Sequence, residues 1–352
     1  MADAALIGGS AADGKVAIIQ PLPGVGDMVW HLPHIHALAE AQPEGAVAVV
    51  TKPRSRADQL FAADPAVSEV VWLDRSQDGK GGSHDGLLGV LKLAGMLRSH
   101  HFRRVYVLHH SWRYACAAWL AGIPERFGYG MGRQRRFLNR GPFLPESMRR
   151  DHPLDLATAW LKAAGISQLE NEPQLRLDPA SVAAARAAYA DRPRPWIALG
   201  LGSSEPYKQW GAERYAALAA ALRADGWGSF FLLGGSEEKP FLPAIRAALG
   251  DDPGRLPGRL VESFDMKMGE ILAFLGAMDL YVGNDTSFLN LAAASGVPAI
   301  GLFGATPPLT HSDAIAAILP PDGVPDKSGG MARITVEAVM EAVAAHKAKA
   351  NG

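Results

Sequence analysis

Four short stretches of this chain combine residue types suited to holding phosphate and moving protons. In the first, Gly283-Asn284-Asp285-Thr286 follows the apolar residues 279–282 and opens a helical pattern over Ser287 to Ser295. The unspent N–H groups of a first helical turn form an anion site. Phe288, Leu291 and Ala292 fall at i, i+3 and i+4 and are expected to face a sheet, which turns Ser287 and Asn290 elsewhere. In the second, Ser203 and Ser204 precede Lys208, and small hydroxyls beside a mobile point charge suit phosphate oxygens. A solvated surface lysine is the plain alternative. The third stretch is Gly234-Gly235-Ser236-Glu237-Glu238. Its glycines permit close approach, and an acidic residue at a strand tip accepts hydrogen bonds from ribose hydroxyls, although the same carboxylates also favour a following helix N-terminus. The fourth runs from Gln20 to Asp27, with Gly24 and Gly26 opening the backbone to a ligand. Val29 stands where a dinucleotide fingerprint needs its third glycine, and Asp27 also reads as a helix cap.

The elements that must carry these loops are strands buried on both faces. Continuous apolar runs recur at Val16–Ile19, Ala46–Val50, Val70–Leu73, Val105–Leu108, Trp196–Leu199, Ser229–Leu233, Leu280–Val282 and Ala299–Phe303, with helical patterns between most of them. Such runs indicate parallel sheets with helical crossovers, here in two doubly wound halves. Pro33 interrupts the helical pattern Met28–Glu40, predicting either a kink or a start later than Asp27. Tyr215, Leu218, Ala219 and Leu222 share one helical face. A polar, proline-containing stretch from Gln168 to Pro179 is the expected seam, giving domains 1–170 and 171–352. The last helical pattern, Thr335–Ala348, is long enough to return across that seam.

Composition narrows the function. The chain has 352 residues, beyond the usual size of a single core. It carries 35 Lys and Arg against 36 Asp and Glu, a formal charge of −1, which argues against general nucleic-acid binding. The single Cys116 excludes an intramolecular disulfide and, among Ala115, Ala117 and Trp119, reads as a buried thiol. No apolar run approaches the roughly 18 residues of a membrane span. Residues 1–14 lack the basic start and apolar stretch of an export signal, so they read as a loose tail and the protein as cytoplasmic. His31, His34 and His36 lack the i, i+4 spacing of a helical zinc pair, and no metal is expected. Arg133, Arg135, Arg136, Arg140, Arg149 and Arg150 form a basic run suited to an anionic lipid or phosphorylated acceptor, or to plain solvent.

Taken in order, Gly26-Asp27 with Pro33, Lys208-x-Trp210, Gly234-Gly235 with Glu237, Asp285-Thr286 with Leu291-Ala292, and Phe303-Gly304-x-Thr306-x-Pro308 resemble glycosyltransferase family 9. The resemblance extends to Met331-Ala-Arg-Ile-Thr-Val-Glu and so covers nearly the whole chain. It implies the α/β GT-B fold, two Rossmann-like doubly wound domains facing a central cleft. By the same resemblance Asp27 matches the catalytic base, Lys208 the diphosphate-contacting lysine, and Glu237 or Glu238 the ribose contact. Asp285 and Thr286 match the donor-binding pair, and Met266 takes the place of a nucleobase-pocket residue. This chain departs from the family at Ser287, where glycine is usual, and at Asn290, where histidine is usual; Gln20-Pro21-Leu22 replaces the usual basic residue after strand one. Lys52, Arg54 and Arg56 after the second strand, with His109, His110 and Arg113 after a later one, are expected to converge as the acceptor site.

These readings describe an inverting glycosyltransferase moving a sugar, by family default heptose from ADP-heptose, to a hydroxyl of lipopolysaccharide core or another surface glycan. It needs no cofactor and no metal, and its partners are a nucleotide sugar and an anionic glycan or glycolipid, with peripheral contact at the cytoplasmic face of the inner membrane open to it. A sugar-nucleotide epimerase and a catalytically silent nucleotide-sugar-binding protein are the alternatives.

Overall fold

The computed structural model describes residues 14–76, 81–166, 172–203, 205–250, 259–308 and 312–350. Residues 1–13 of the expected loose tail, Ser204, and residues 168–171 of the expected seam lie outside the described residues. The chain divides into two compact units, Met1–Pro173 and Gln174–Gly352.

In the first unit the strands are β1 (Val16–Ile19), β2 (Val47–Thr51), β3 (Val67–Trp72), β4 (Arg104–Val107) and β5 (Glu125–Gly128). They form one sheet of order β3-β2-β1-β4-β5, every pair parallel. The second unit contains β6 (Trp196–Gly200), β7 (Ser229–Leu233), β8 (Leu260–Glu262), β9 (Leu280–Asn284), β10 (Ala299–Leu302) and β11 (Ile315–Ile318). Its order is β11-β10-β9-β6-β7-β8, again parallel throughout. Chain direction across the sheet reverses between β1 and β4 in the first unit and between β6 and β9 in the second. Ligands of open α/β sheets bind outside the carboxyl ends of the strands at such switch points.

Every expected strand is present, but β5, β8 and β11 are additional, and each of the three is a sheet edge. The helix expected over Met28–Glu40 is two helices, Val25–Trp30 and Leu32–Glu40, broken at His31 with Pro33 in the first turn of the second. Proline fits there because its missing N–H has no intrahelical partner to lose. Tyr215, Leu218, Ala219 and Leu222 are all fully buried beneath the helix Ala212–Ala224. The final helix, Val336–Ala350, enters the second unit's own core through Val339 and Val343, beside Leu302 of β10. Cys116 is buried, and burial raises its thiol pKa. No helix among the described residues is long and apolar enough to cross a membrane.

Between β6 and β9, Gly200 pairs with Gly283. A β-carbon on Gly283 would lie 2.4 Å from the Tyr281 hydroxyl and 2.8 Å from the Gly200 Cα, so the two strands can carry no side chain at this register. Burial raises the pKa of the enclosed Tyr281 phenol far above its ordinary value.

Candidate active site

At the second unit's switch point, the loop after β6 meets the turn after β9. Lys208 Nζ lies 2.8 Å from Asp285 Oδ2 and 3.4 Å from Glu205 Oε2. The Thr306 hydroxyl donates to the same Asp285 oxygen at 2.7 Å. Burial works against the ammonium charge, but the hydrogen bond and charge of Asp285, with those of Glu205, outweigh it and raise the Lys208 pKa. Lys208 is therefore a fixed cation at neutral pH, rather than the freely solvated lysine its sequence also allowed.

Beside this pair begins the helix Ser287–Ala294. Its N-cap, Thr286, is extended and its side chain makes no capping hydrogen bond, so the first-turn N–H groups are not spent on the cap. The core face of this helix differs from the expected one. Leu289, Leu291 and Ala292 are buried while Phe288 is only half-buried, and the Leu289 side chain fills the space over Gly301 of β10. Ser287 and Asn290 are both half-buried.

Asn284, invisible as a site residue in the sequence, ties this corner together. Its side chain is fully buried, donating to the Leu201 carbonyl at 2.9 Å and to Gln209 Oε1 at 3.1 Å, with the Tyr215 hydroxyl 3.0 Å from its Oδ1. An amide buried at a strand end without such partners would cost about 1–3 kcal/mol, so Asn284 fixes the spacing of the β6 and β9 tips. Ser203 spends its hydroxyl inside its own loop, donating to the Glu205 carbonyl at 2.8 Å and accepting from the Glu205 N–H at 3.2 Å. The two candidate ribose carboxylates separate cleanly. Glu237 is exposed, whereas Glu238 is buried and accepts from the Gly235 N–H at 2.8 Å and the Ser203 N–H at 3.4 Å, bridging the β6 and β7 tips. Met266 is half-buried in the segment after β8.

The first unit's switch point carries Asp27. Its Oδ2 accepts from the Gly24 N–H at 3.0 Å, so Asp27 does cap the helix Val25–Trp30. A β-carbon on Gly24 would stand 2.7 Å from that oxygen, which explains the glycine. Capping uses one carboxylate oxygen. Burial raises the Asp27 pKa, opposed by the Gly24 N–H and by the nearby charges of His152 and Arg54. His31, at the break between the helices, is almost fully buried and neutral, its pKa pushed down to about 4 by burial. Its Nδ1 lies 2.7 Å from the Asp27 carbonyl, an acceptor, and therefore donates to it.

Lys52, His109 and Arg75 gather at the ends of β2, β4 and β3. Burial pushes the His109 pKa down to about 3, reinforced by the charges of His110, Arg75, Lys52 and His31. Burial also lowers the Lys52 pKa, with Arg75 adding to the effect and Asp85 opposing it. Arg75 was not singled out by sequence; it stands 3.0 Å from Asp85 Oδ1 and over the Tyr114 ring. Arg54 and Arg56 are exposed on the short turn Pro53–Ser55 and just after it, with Arg54 within electrostatic reach of Asp27. His110, whose ring stacks on that of His109 with centroids 4.5 Å apart, and Arg113 line a cavity of about 470 Å³ whose wall also includes Arg133 and Arg149. Part of the expected acceptor set therefore runs from His109 through the stacked His110 to Arg113 and part of the arginine run. Among the three histidines near Asp27, His34 Nε2 bonds Thr158 Oγ1 at 2.9 Å and His36 pairs with Asp64 at 2.7 Å.

Comparison with known proteins agrees with this arrangement of two parallel sheets. Over 319 residues the chain is 26% identical to lipopolysaccharide heptosyltransferase 2 of Escherichia coli K12, covering 87% of this chain and 88% of the relative. The solved structure of Escherichia coli ADP-heptose lipopolysaccharide heptosyltransferase II superposes with a TM-score of 0.72 at 22% identity, covering 96% of this chain and all of that one. Escherichia coli heptosyltransferase WaaC, solved with ADP-2-deoxy-2-fluoro heptose, gives 0.69 at 16% identity over 94% of this chain and 99% of that one. These likenesses give the chain the GT-B fold. Residues 90–317, well over half of the sequence, match glycosyltransferase family 9 (heptosyltransferase), and the protein with these two switch points belongs to that family.

Proposed function

We propose that the protein is an inverting, metal-independent transferase that moves heptose from ADP-heptose to a hydroxyl of a lipopolysaccharide-core or related surface-glycan acceptor. The observation that carries this reading is the division of chemistry between the two switch points. One holds a carboxylate whose burial raises its pKa; the other holds a fixed ammonium 2.8 Å from Asp285 beside an open helix N-terminus.

Asp27 takes the proton from the acceptor hydroxyl as its oxygen forms a bond to the anomeric carbon and the bond to the nucleoside diphosphate breaks. A single displacement inverts that carbon. Lys208 and the first-turn N–H groups at Ser287 stabilise the charge that accumulates on the departing diphosphate, the task a divalent cation performs in other transferases. Asp285, Thr286 and Asn290 orient the donor, Glu238 receives the ribose hydroxyls, and Met266 lines the base. Lys52, Arg54, Arg56, His109, His110 and Arg113 serve the acceptor. The choice of donor rests on the ADP-heptose and ADP-2-deoxy-2-fluoro heptose named for the relatives.

The test is nucleotide release from ADP-heptose with and without a heptose-deficient lipopolysaccharide core. Release that depends on the core, with chelator present, is the expected result. Conversion of the nucleotide sugar without any acceptor would replace this reading with the epimerase. Binding without turnover under either condition would leave a silent binding protein.

A further inference from the structure

We propose that the cavity above the helix Trp112–Leu120 is a subsite for a phosphomonoester dianion on the acceptor, an inference that rests on the acceptor-binding role proposed for the first unit. Arg113, Arg133 and Arg149 all line this cavity, and none of the described residues lining it is a carboxylate. Its volume of about 470 Å³ falls within the range of roughly 300–1,000 Å³ usual for small-molecule sites.

The three guanidinium groups come from three different places. Arg113 is the second residue of the helix that follows β4, Arg133 lies in the turn Gly132–Phe137 after β5, and Arg149 in the turn Glu146–Arg150. Folding brings the three residues into the wall of one cavity, with Arg133 and Arg149 exposed, and like charges brought together cost free energy unless something neutralises them. Glu146 neutralises one: its carboxylate lies 2.6 Å from Arg149 and accepts from the Gly132 N–H at 2.8 Å. No carboxylate pairs with Arg113 or Arg133 among the described residues, and the buried Nε of Arg113 has no hydrogen-bond partner. Three cations against one carboxylate leave two positive charges, the complement of a phosphomonoester, which carries about −1.5 to −2 at pH 7.

Geometry favours phosphate as well. Guanidinium groups give paired, parallel hydrogen bonds to phosphate oxygens, and the start of a nine-residue helix adds N–H groups and a positive dipole end. His110, whose pKa burial and then the Arg149 charge lower, adds its ring to the wall. Trp112, with Arg113 5.4 Å over its ring, supplies an apolar surface for the carbon skeleton bearing the phosphate. The donor's diphosphate is served by different residues, on the second unit.

Calorimetric titration at low salt and pH 7.5 with mannose 6-phosphate, with mannose, and with phosphatidylcholine vesicles containing or lacking phosphatidic acid tests the subsite. Mannose 6-phosphate should bind and mannose should not. The double variant Arg113→Gln, Arg133→Gln should weaken that binding at least tenfold while Lys92→Gln, exposed on the helix Gly86–Ser99, leaves it unchanged. Arginine-dependent binding confined to phosphatidic acid vesicles would assign the same phosphate chemistry to a lipid headgroup. Wild-type affinity in the double variant, or no binding to either phosphate probe, overturns the subsite. Should the glutamine variant lose its circular dichroism, Arg113→Lys, Arg133→Lys keeps the charge, loses the paired geometry, and should still weaken binding several-fold. Because none of these titrations needs turnover, loss of the transferase reading would leave their outcome intact, and the reverse holds too.

Discussion

Asp27 has a proton affinity set by opposing neighbours, and its pH behaviour follows from their signs. Burial raises its pKa, while the Gly24 N–H, His152 and Arg54 pull it down. A base must be ionised, so turnover should fall as the pH drops through that raised pKa. Arg54→Gln removes one of the lowering charges and should move the acid limb of kcat to higher pH; a limb that stays in place would separate Arg54 from Asp27. Asp27→Asn should reduce turnover roughly 10²–10⁴-fold with donor affinity preserved, because the amide oxygen can still accept from Gly24. Folding stability at neutral pH should not fall with it. The raised pKa means that the folded state favours the protonated acid, and this contribution is lost as the pH rises through the folded pKa, so the neutral amide removes a cost. Near-normal turnover in Asp27→Asn would reduce the residue to the cap that its sequence position also allowed. That ambiguity was genuine: the structure gives Asp27 the capping bond and, at the same time, a pKa that burial raises.

The second unit's site depends on how closely β6 and β9 approach. Gly283→Ala would force a methyl against the Gly200 backbone and the Tyr281 hydroxyl, and overpacking of this kind costs about 1–3 kcal/mol. Urea unfolding should register that loss together with weaker nucleotide binding; a change below about 0.5 kcal/mol would show that the strands part without strain. The helix after β9 offers a second test. An Asn290 amide facing the ligand gives diphosphate affinity that varies little from pH 5.5 to 8, and Asn290→His should add tighter binding at the acid end, since an imidazole with a pKa of about 6.5 becomes a cation there. An unaltered pH profile would remove Asn290 from the ligand face. Periodicity alone misphased this helix. In Ser-Phe-Leu-Asn-Leu-Ala-Ala-Ala, Leu289 and Ala292 satisfy the i, i+3 rule as well as Phe288 and Leu291 do, and only the space above Gly301 selects Leu289. The three strands missed by sequence, β5, β8 and β11, are edges. An edge strand is covered less completely, so Glu-Arg-Phe-Gly or Leu-Val-Glu need not show the continuous apolar run that marks a central strand.

At the scale of the molecule, the two units should respond differently to acid. His31 and His109, with pKa values pushed down to about 4 and about 3, both belong to the first unit. An unfolded chain takes up protons on these rings near pH 6.5 while the folded unit does not, so stability falls as the pH drops from there toward the folded values. Each unit of depression amounts to about 1.4 kcal/mol. Hydrogen exchange at pH 5 against pH 7.5 should show protection lost in β1 and β4 before β6 and β9; equal loss in both units would count against buried neutral imidazoles.

What the sequence determined by itself was the alphabet of the fold and the loops of the site. Continuous Val, Ile, Leu and Phe runs require strands covered on both faces, which makes parallel sheets with helices between them, and the glycine- and acid-bearing loops must then follow strand ends. Strand order was decided only in three dimensions, because it depends on which strands pair. That order puts the loops after β1 and β4 at one switch point and those after β6 and β9 at the other. Tertiary structure also buried Glu238 while leaving Glu237 exposed, spent the Ser203 hydroxyl on its own loop, and assigned buried Asn284 to the corner between β6 and β9. These choices rest on desolvation and on hydrogen bonds between residues as far apart as Leu201 and Asn284, which local spacing does not encode. The arginine cavity arose in the same way: charges spread from Arg113 to Arg149 look like an ordinary solvated run until the chain after β4 and β5 folds them around one space.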